Sequence, residues 1–205
     1  MRKPTQKRSI ERVGHIFDAT RSLILAEGID AVTTTRVADL ARVPVGSVYQ
    51  FFADREDLLT SLVRAQAETL AKACVAALDD CPADVFDHWP DAMRHVMGSY
   101  LTALEALPAG IEVNRYQTQH MPVFEGPHGL ESPLGRLFTD VMARTDIQFP
   151  PERETVILTT LLATVSILVD VALLQRVPAQ RDAYISECLG LAELYIEQSA
   201  VGLRT

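Results

Sequence analysis

The chain has 205 residues, enough for one large domain or two small ones around a buried core. Apolar residues make up 48% and charged residues 22%, which excludes wholesale disorder. The net charge of −8 argues against a nucleic-acid partner only as an average. Residues 1–50 hold eight Lys/Arg against five Asp/Glu, whereas residues 73–205 hold eight against eighteen. The basic end is therefore the candidate for a polyanion.

Cys74, Cys81 and Cys188 form no CxxC pair, so neither a disulfide framework nor a zinc site is suggested. Met1 to Arg12 is basic and polar with no apolar stretch behind it, unlike a signal peptide. The longest uncharged run, Thr155 to Val169, contains five Thr/Ser and is short for a membrane span. A cytoplasmic setting without a membrane partner is expected.

Ile10, Val13, Phe17, Thr20 and Ile24 repeat at helical spacing, and Gly28 stands where a helix would end in a left-handed residue. Four cations, Arg2, Lys3, Lys7 and Arg8, are expected to precede this helix, as a solvated tail or as an arm against DNA. Thr33-Thr34-Thr35 offers hydroxyl caps for a helix over 33–41, closed by Pro44. A short segment follows over 45–51, and Asp54 caps a long helix running to Pro82. Further helices are predicted near 84–107, 110–120, 133–145, 152–176 and 179–200, with an irregular loop from His120 to Pro133. The expected fold is all-α, with about nine helices and no strand.

Helix 33–41, turn 42–44 and helix 45–51 match a helix-turn-helix, whose second helix enters the major groove. Gly46 and Ser47 are small enough for close backbone approach. Tyr49 carries a hydroxyl that could reach a phosphate. Arg55 adds a cation at a helix N-terminus, where phosphate is already attracted.

The run Gly28-Ile29-Asp30-Ala31-Val32-Thr33, then Val37-Ala38, Val43, Gly46-Ser47-Val48-Tyr49-Gln50-Phe51-Phe52 and Arg55-Glu56-Asp57-Leu58-Leu59 resembles the TetR-type transcriptional regulators over residues 8–60. The resemblance implies a three-helix DNA-binding domain at 1–55 and a larger effector-binding and dimerisation domain at 56–205. It also implies a homodimer on a palindromic double-stranded operator, released when a small molecule binds the second domain. In that reading Thr33 caps helix two and touches a phosphate, and Val45 and Ser47 face base edges. Gln50 is a further reader, while Tyr49 and Arg55 hold phosphates. The chain departs from the family at Arg42, where glycine is usual, and at Pro44-Val45, where a serine-lysine pair is common. Arg42 implies either an altered turn or an extra phosphate contact. Val45 could only pack against a thymine methyl.

The window 86–149 holds seven of thirteen aromatics, four of five methionines and four of five histidines. Large adaptable side chains with a few polar ones suit a ligand cavity in a helix bundle, although they also suit a core. Trp89, Met93, Met97 and Tyr100 recur at threes and fours along one helix. Arg115, Tyr116 and His120 are polar candidates on the next. Phe124 lies in a loop that could act as a lid, and Phe138 completes the set. The expected effector is a medium-sized, partly apolar or aromatic molecule.

His120, Glu125 and His128 lack a ligand spacing, so no metal or other cofactor is expected. Nor is there a nucleophile motif, and an enzyme is not expected. Helix 152–176 is apolar over most of its circumference and, with the last helix, suits an intersubunit four-helix bundle, with Asp170 at its exposed edge. The rival readings are an enzyme, or a helical small-molecule-binding module without specific DNA binding.

Overall fold

The computed structural model describes residues 3–82, 88–121, 129–130, 132–145, 147–175 and 177–201. Among them are nine α-helices, α1 (Lys3–Glu27), α2 (Thr34–Ala41), α3 (Val45–Tyr49), α4 (Arg55–Asp79), α5 (Trp89–Ala106), α6 (Gly110–His120), α7 (Pro133–Arg144), α8 (Glu154–Leu173) and α9 (Pro178–Ser199). A 3-10 turn, Ile29–Ala31, follows α1.

α1 buries Ile16, Ala19, Thr20, Leu23 and Ile24, one face at helical spacing. It begins earlier than the sequence reading expects. Pro4 is tolerated in a first helical turn, and no breaker follows it. The basic residues from Lys3 onward therefore belong to the helix and do not form an arm ahead of it; Arg2 lies outside the described residues. At the far end Gly28 has φ +86, a conformation that a Cβ disfavours.

The Thr33 side chain caps α2, accepting from the Arg36 amide at 3.2 Å. Arg42 closes α2 in the left-handed region, with φ 56 and ψ 43. The Val43 amide reaches back to the Ala38 carbonyl at 3.0 Å, so the chain keeps the glycine-type turn despite an arginine. α3 starts after Pro44 and ends at Tyr49, shorter than the expected 45–51. Asp54 then caps α4 by accepting from Asp57 N, while the Asp57 carboxylate accepts from Ala53 N, both at 2.8 Å.

The first core joins Ile16, Leu23, Ile24, Val32, Val37, Val48 and Phe52 to Leu58, Leu59, Leu62 and Val63 of α4. Val113 and Tyr116 of α6, with Ala109 just before it, enter the same core. α4 continues beyond it for about 37 Å in total, at ~1.5 Å per residue, and packs against α5 and α7. Its buried Gln66 ties three helices together: the Gln66 amide donates to the Gly110 carbonyl at 3.0 Å, and Arg21 of α1 donates to the Gln66 oxygen at 2.9 Å.

The turn between α5 and α6 is tight. A Cβ on Gly110 would lie 2.2 Å from the Leu104 carbonyl oxygen, so the backbone approach there requires glycine. α8 is long and apolar enough to cross a membrane by composition, yet it buries Ile157, Leu158, Leu161, Leu162, Val169, Ala172 and Leu173 within the bundle. It packs most extensively on α9. The beginning of the expected helix 84–107 falls partly outside the described residues; α5 is described from Trp89.

Candidate functional site

Two features face function: the surface formed by α2, α3 and the start of α4, and a cavity between α5, α6, α7 and α8. On the surface, Thr33, Arg42, Gly46, Tyr49 and Gln50 are exposed, and nothing lies within 4 Å of a Cβ built on Gly46. Ser47 is half-buried, and Val45 is half-buried against the first core. The Tyr49 hydroxyl is held 3.0 Å from Thr34 Oγ1, which orients an otherwise exposed ring. Arg42, Tyr49 and Gln50 thus share a solvent-facing surface around a backbone that a groove wall could approach.

Arg55 is turned inward. Its Nε donates to the Val32 carbonyl at 2.9 Å, a terminal nitrogen donates to the Ile29 carbonyl at 3.1 Å, and the other pairs with Glu56. The guanidinium thereby clips the 3-10 turn to α4, a task its fork geometry suits. A phosphate would share this group with three internal acceptors.

The cavity has a volume of about 100 Å³. Met93, Val96, Met97 and Tyr100 line it from α5, Leu137, Phe138 and Val141 from α7, and Leu162, Val165 and Val169 from α8. Its polar lining comes from Asn114 and Gln117 of α6 and from Ser166 and Asp170 of α8. Met93, Met97 and Tyr100 therefore share one side of α5 as their spacing suggests, and Phe138 joins them from α7. Trp89 is buried in the adjoining core and is not on the wall. Phe124 lies outside the described residues.

Arg115, Tyr116 and His120 point elsewhere. A helical residue turns about 100° from its neighbour, so Asn114 and Gln117 facing the cavity send 115 and 116 to other sides. Arg115 is exposed beside a second, outer groove between α6 and α8. Tyr116 is buried against the first core, and its hydroxyl donates to the Glu56 carboxylate at the start of α4. His120 stacks on the Tyr116 ring at 4.3 Å and is itself exposed.

Asp170 is also placed differently from the expected outer edge of a dimer face. It faces α6, accepting from Asn114 Nδ2 and from Thr118 Oγ1, and it borders both the cavity and the outer groove. Burial pushes its carboxyl above the ordinary aspartate value, against the opposing effect of the two hydrogen bonds. The Tyr100 hydroxyl donates to Asn114 Oδ1 at 3.2 Å, extending the network across three helices. Sequence reasoning missed Asn114, Gln117 and Ser166. The available signal was a single charge, Asp170, in an otherwise uncharged helix from Thr155 to Leu173.

Comparisons with known proteins agree with this architecture. Residues 16–62 match the family model for bacterial regulatory proteins of the tetR family. A TetR-family transcriptional regulator of Streptomyces coelicolor is 24% identical with a TM-score of 0.63, the match covering 92% of this chain and 99% of that one. A tetR family transcription regulator of Shewanella sp. PV-4 is 18% identical with a TM-score of 0.61, covering 93% and 99%. RolR, solved in complex with resorcinol, is 17% identical with a TM-score of 0.50, covering 98% of each chain. No curated protein matches the sequence. Residues 16–62 thus carry a helix-turn-helix segment of the tetR type, and the fold along nearly the whole length is the one seen in TetR-family regulators.

Proposed function

We propose that the chain is a ligand-responsive repressor that binds a palindromic operator as a homodimer and leaves it when a small molecule fills the α5–α8 cavity. One observation carries this reading: α6 borders the cavity with Asn114 and Gln117 while its Val113 and Tyr116 sit in the core of the DNA-binding domain. Any occupant that displaces α6 acts on the packing that positions α2 to α4, because a close-packed core does not deform freely. The neighbour RolR holds resorcinol in its solved structure, which fits a small-molecule occupant for this fold.

The division into a reader at 1–55 and an effector and dimerisation part at 56–205 belongs to the same reading. Thr33, Arg42, Val45, Gly46, Ser47, Tyr49 and Gln50 form the DNA face, with Arg55 supporting it from behind. The homodimer is assigned to α8 and α9, where Val156, Ile167, Leu191 and Leu194 leave large apolar side chains 65%, 44%, 51% and 58% exposed. A two-fold pair would set its two α3 helices about 34 Å apart on one face of the duplex.

The test is a fluorescence-anisotropy titration against DNA from upstream of the protein's own coding region, with nonspecific competitor. Saturable binding at low salt is expected. Binding no tighter than to the competitor under effector-free conditions sinks the repressor reading.

A further inference from the structure

Among the described residues, the carboxylate of Asp170 at the cavity has no cationic partner. Asp170 accepts, among the described residues, only from the neutral donors Asn114 and Thr118, one on each carboxylate oxygen, and each oxygen has a second lone pair to offer. Among the described residues no Lys, Arg or His lines the cavity. Arg115 shares the outer groove with Asp170, but no ion pair joins them among the described residues. The walls from α5 and α7 include, beside the aliphatic Val96, Leu137 and Val141, the polarizable sulfurs and aromatic rings of Met93, Met97, Tyr100 and Phe138. Such groups favour a cation over an anion, the rings through their negative faces.

We propose that the effector is an organic cation, a protonated amine on an apolar or one-ring body, whose ammonium is held by Asp170. This deepens the ligand-responsive reading and rests on it. An anion would meet the Asp170 carboxylate with no compensating cation, while an uncharged molecule would leave that charge unbalanced. The size follows from the cavity. A void of about 150 Å³ lined by apolar side chains takes benzene. At about 100 Å³ this cavity is smaller, so a one-ring body enters only as Met93 and Met97 yield around it, and nothing bulkier is expected.

The deciding experiment compares three molecules of one shape and different charge by isothermal titration calorimetry on the full chain: 2-phenylethylammonium, 2-phenylethanol and phenylacetate. The ammonium should bind about tenfold or more tightly than the alcohol, as charge-assisted hydrogen bonds exceed neutral ones, and phenylacetate should not bind. Asp170→Asn should bring the ammonium to the level of the alcohol while the alcohol keeps its affinity, with circular dichroism confirming the fold. The charge series on the unaltered protein decides the matter even if the variant fails to fold. Equal affinities, preference for the alcohol or the anion, or no binding of the ammonium each overturn the cationic assignment. Operator binding by the same preparation separates the two readings. A protein that binds its operator but shows no ammonium preference refutes this inference alone. One that takes the ammonium but binds no DNA refutes the repressor reading and leaves the cavity assignment standing.

Discussion

The Tyr116 hydroxyl donates to the Glu56 carboxylate, joining α6 to the first turn of α4 across 60 positions of sequence. Tyr116 is buried in the first core and Glu56 lies at its exposed margin. The bond holds the Glu56 carboxyl below its ordinary value, with a smaller contribution from Arg55. Burial and the same bond push the Tyr116 phenol up to about 12. Helix α6 is thereby fastened to the part of α4 that adjoins the helix-turn-helix.

Tyr116→Phe removes this fastening and little else. A hydrogen bond to a charged but solvent-exposed group contributes about 0.5–1 kcal/mol, so urea unfolding should shift by that amount at neutral pH. Because the folded Glu56 pKa is depressed, its contribution is present above the unfolded value and is lost as pH falls through the folded one. The stability curves of the native protein and the Tyr116→Phe variant should therefore converge in acid. A difference that persists there would assign the loss to ring packing.

Arg55→Ala should destabilise the DNA-binding domain before it weakens any phosphate contact. Two carbonyls, of Ile29 and Val32, lose their donor together, and the expected cost is about 1–3 kcal/mol. Arg55→Lys should recover only part of it, because one ammonium does not reproduce the two-pronged geometry. Urea unfolding reads the stability. The slope of log affinity against log salt reads the DNA contact, and it should change little in the alanine variant, which lacks the charge, if the group is chiefly internal.

The local chemistry of the helix-turn-helix was legible because each signal lies within a few residues. Thr33 and Asp54 cap the helices their positions suggest, and Gly28 takes the positive φ expected of it. Four cavity residues were also legible, since Met93, Met97 and Tyr100 share one face of α5 and Phe138 follows on α7. The orientation of α6 was not. Both sides of this short helix are covered, one by the cavity walls and the other by the first core, so its residues carry no clean apolar stripe. Nothing local distinguishes Asn114 and Gln117 from Arg115 and Tyr116; only the docking of α6 does. Asp170 stood out as a lone charge, but a buried polar network and an interface edge look alike until Asn114 and Thr118 are placed beside it.

Arg42 sits at φ 56 where a Cβ costs on the order of 1 kcal/mol. Arg42→Gly should recover most of that, less the larger entropy glycine loses on folding, for a gain of about 0.5 kcal/mol in urea unfolding. Arg42→Asn, which tolerates this conformation, separates charge from strain. If Arg42 meets a phosphate, both variants should lower the salt slope of operator binding by about one. If the side chain is only solvated, stability changes and the slope does not.

On α9, Leu191 and Leu194 are 51% and 58% exposed and lie three residues apart on its outer side. Burying such side chains in a partner contributes about 1.5–3 kcal/mol each, and a glutamate there would have to be desolvated without a counter-ion. Leu191→Glu with Leu194→Glu should convert a dimer to a monomer in sedimentation velocity with helical content preserved. A dimer that survives both changes places the interface elsewhere than α9.

Asp170 predicts a pH dependence of the opposite sign to Glu56. Burial holds its folded pKa above the ordinary 3.8, outweighing the hydrogen bonds from Thr118 and Asn114. Between those two values the folded chain keeps a proton that the unfolded chain releases, so folding is linked to proton uptake. The stability from that proton is complete below the unfolded pKa and is lost as pH rises through the folded one. Asp170→Asn cannot titrate at this position. The stability of the native protein relative to Asp170→Asn should therefore fall as pH climbs across that interval and level off above it. Thermal unfolding of both proteins at matched pH isolates the effect, because the other carboxylates titrate in both. A difference that stays flat with pH would mean the carboxylate is well hydrated in the folded state. A saturating ammonium ligand supplies the missing counter-charge, so it should lower the folded pKa and flatten the same curve.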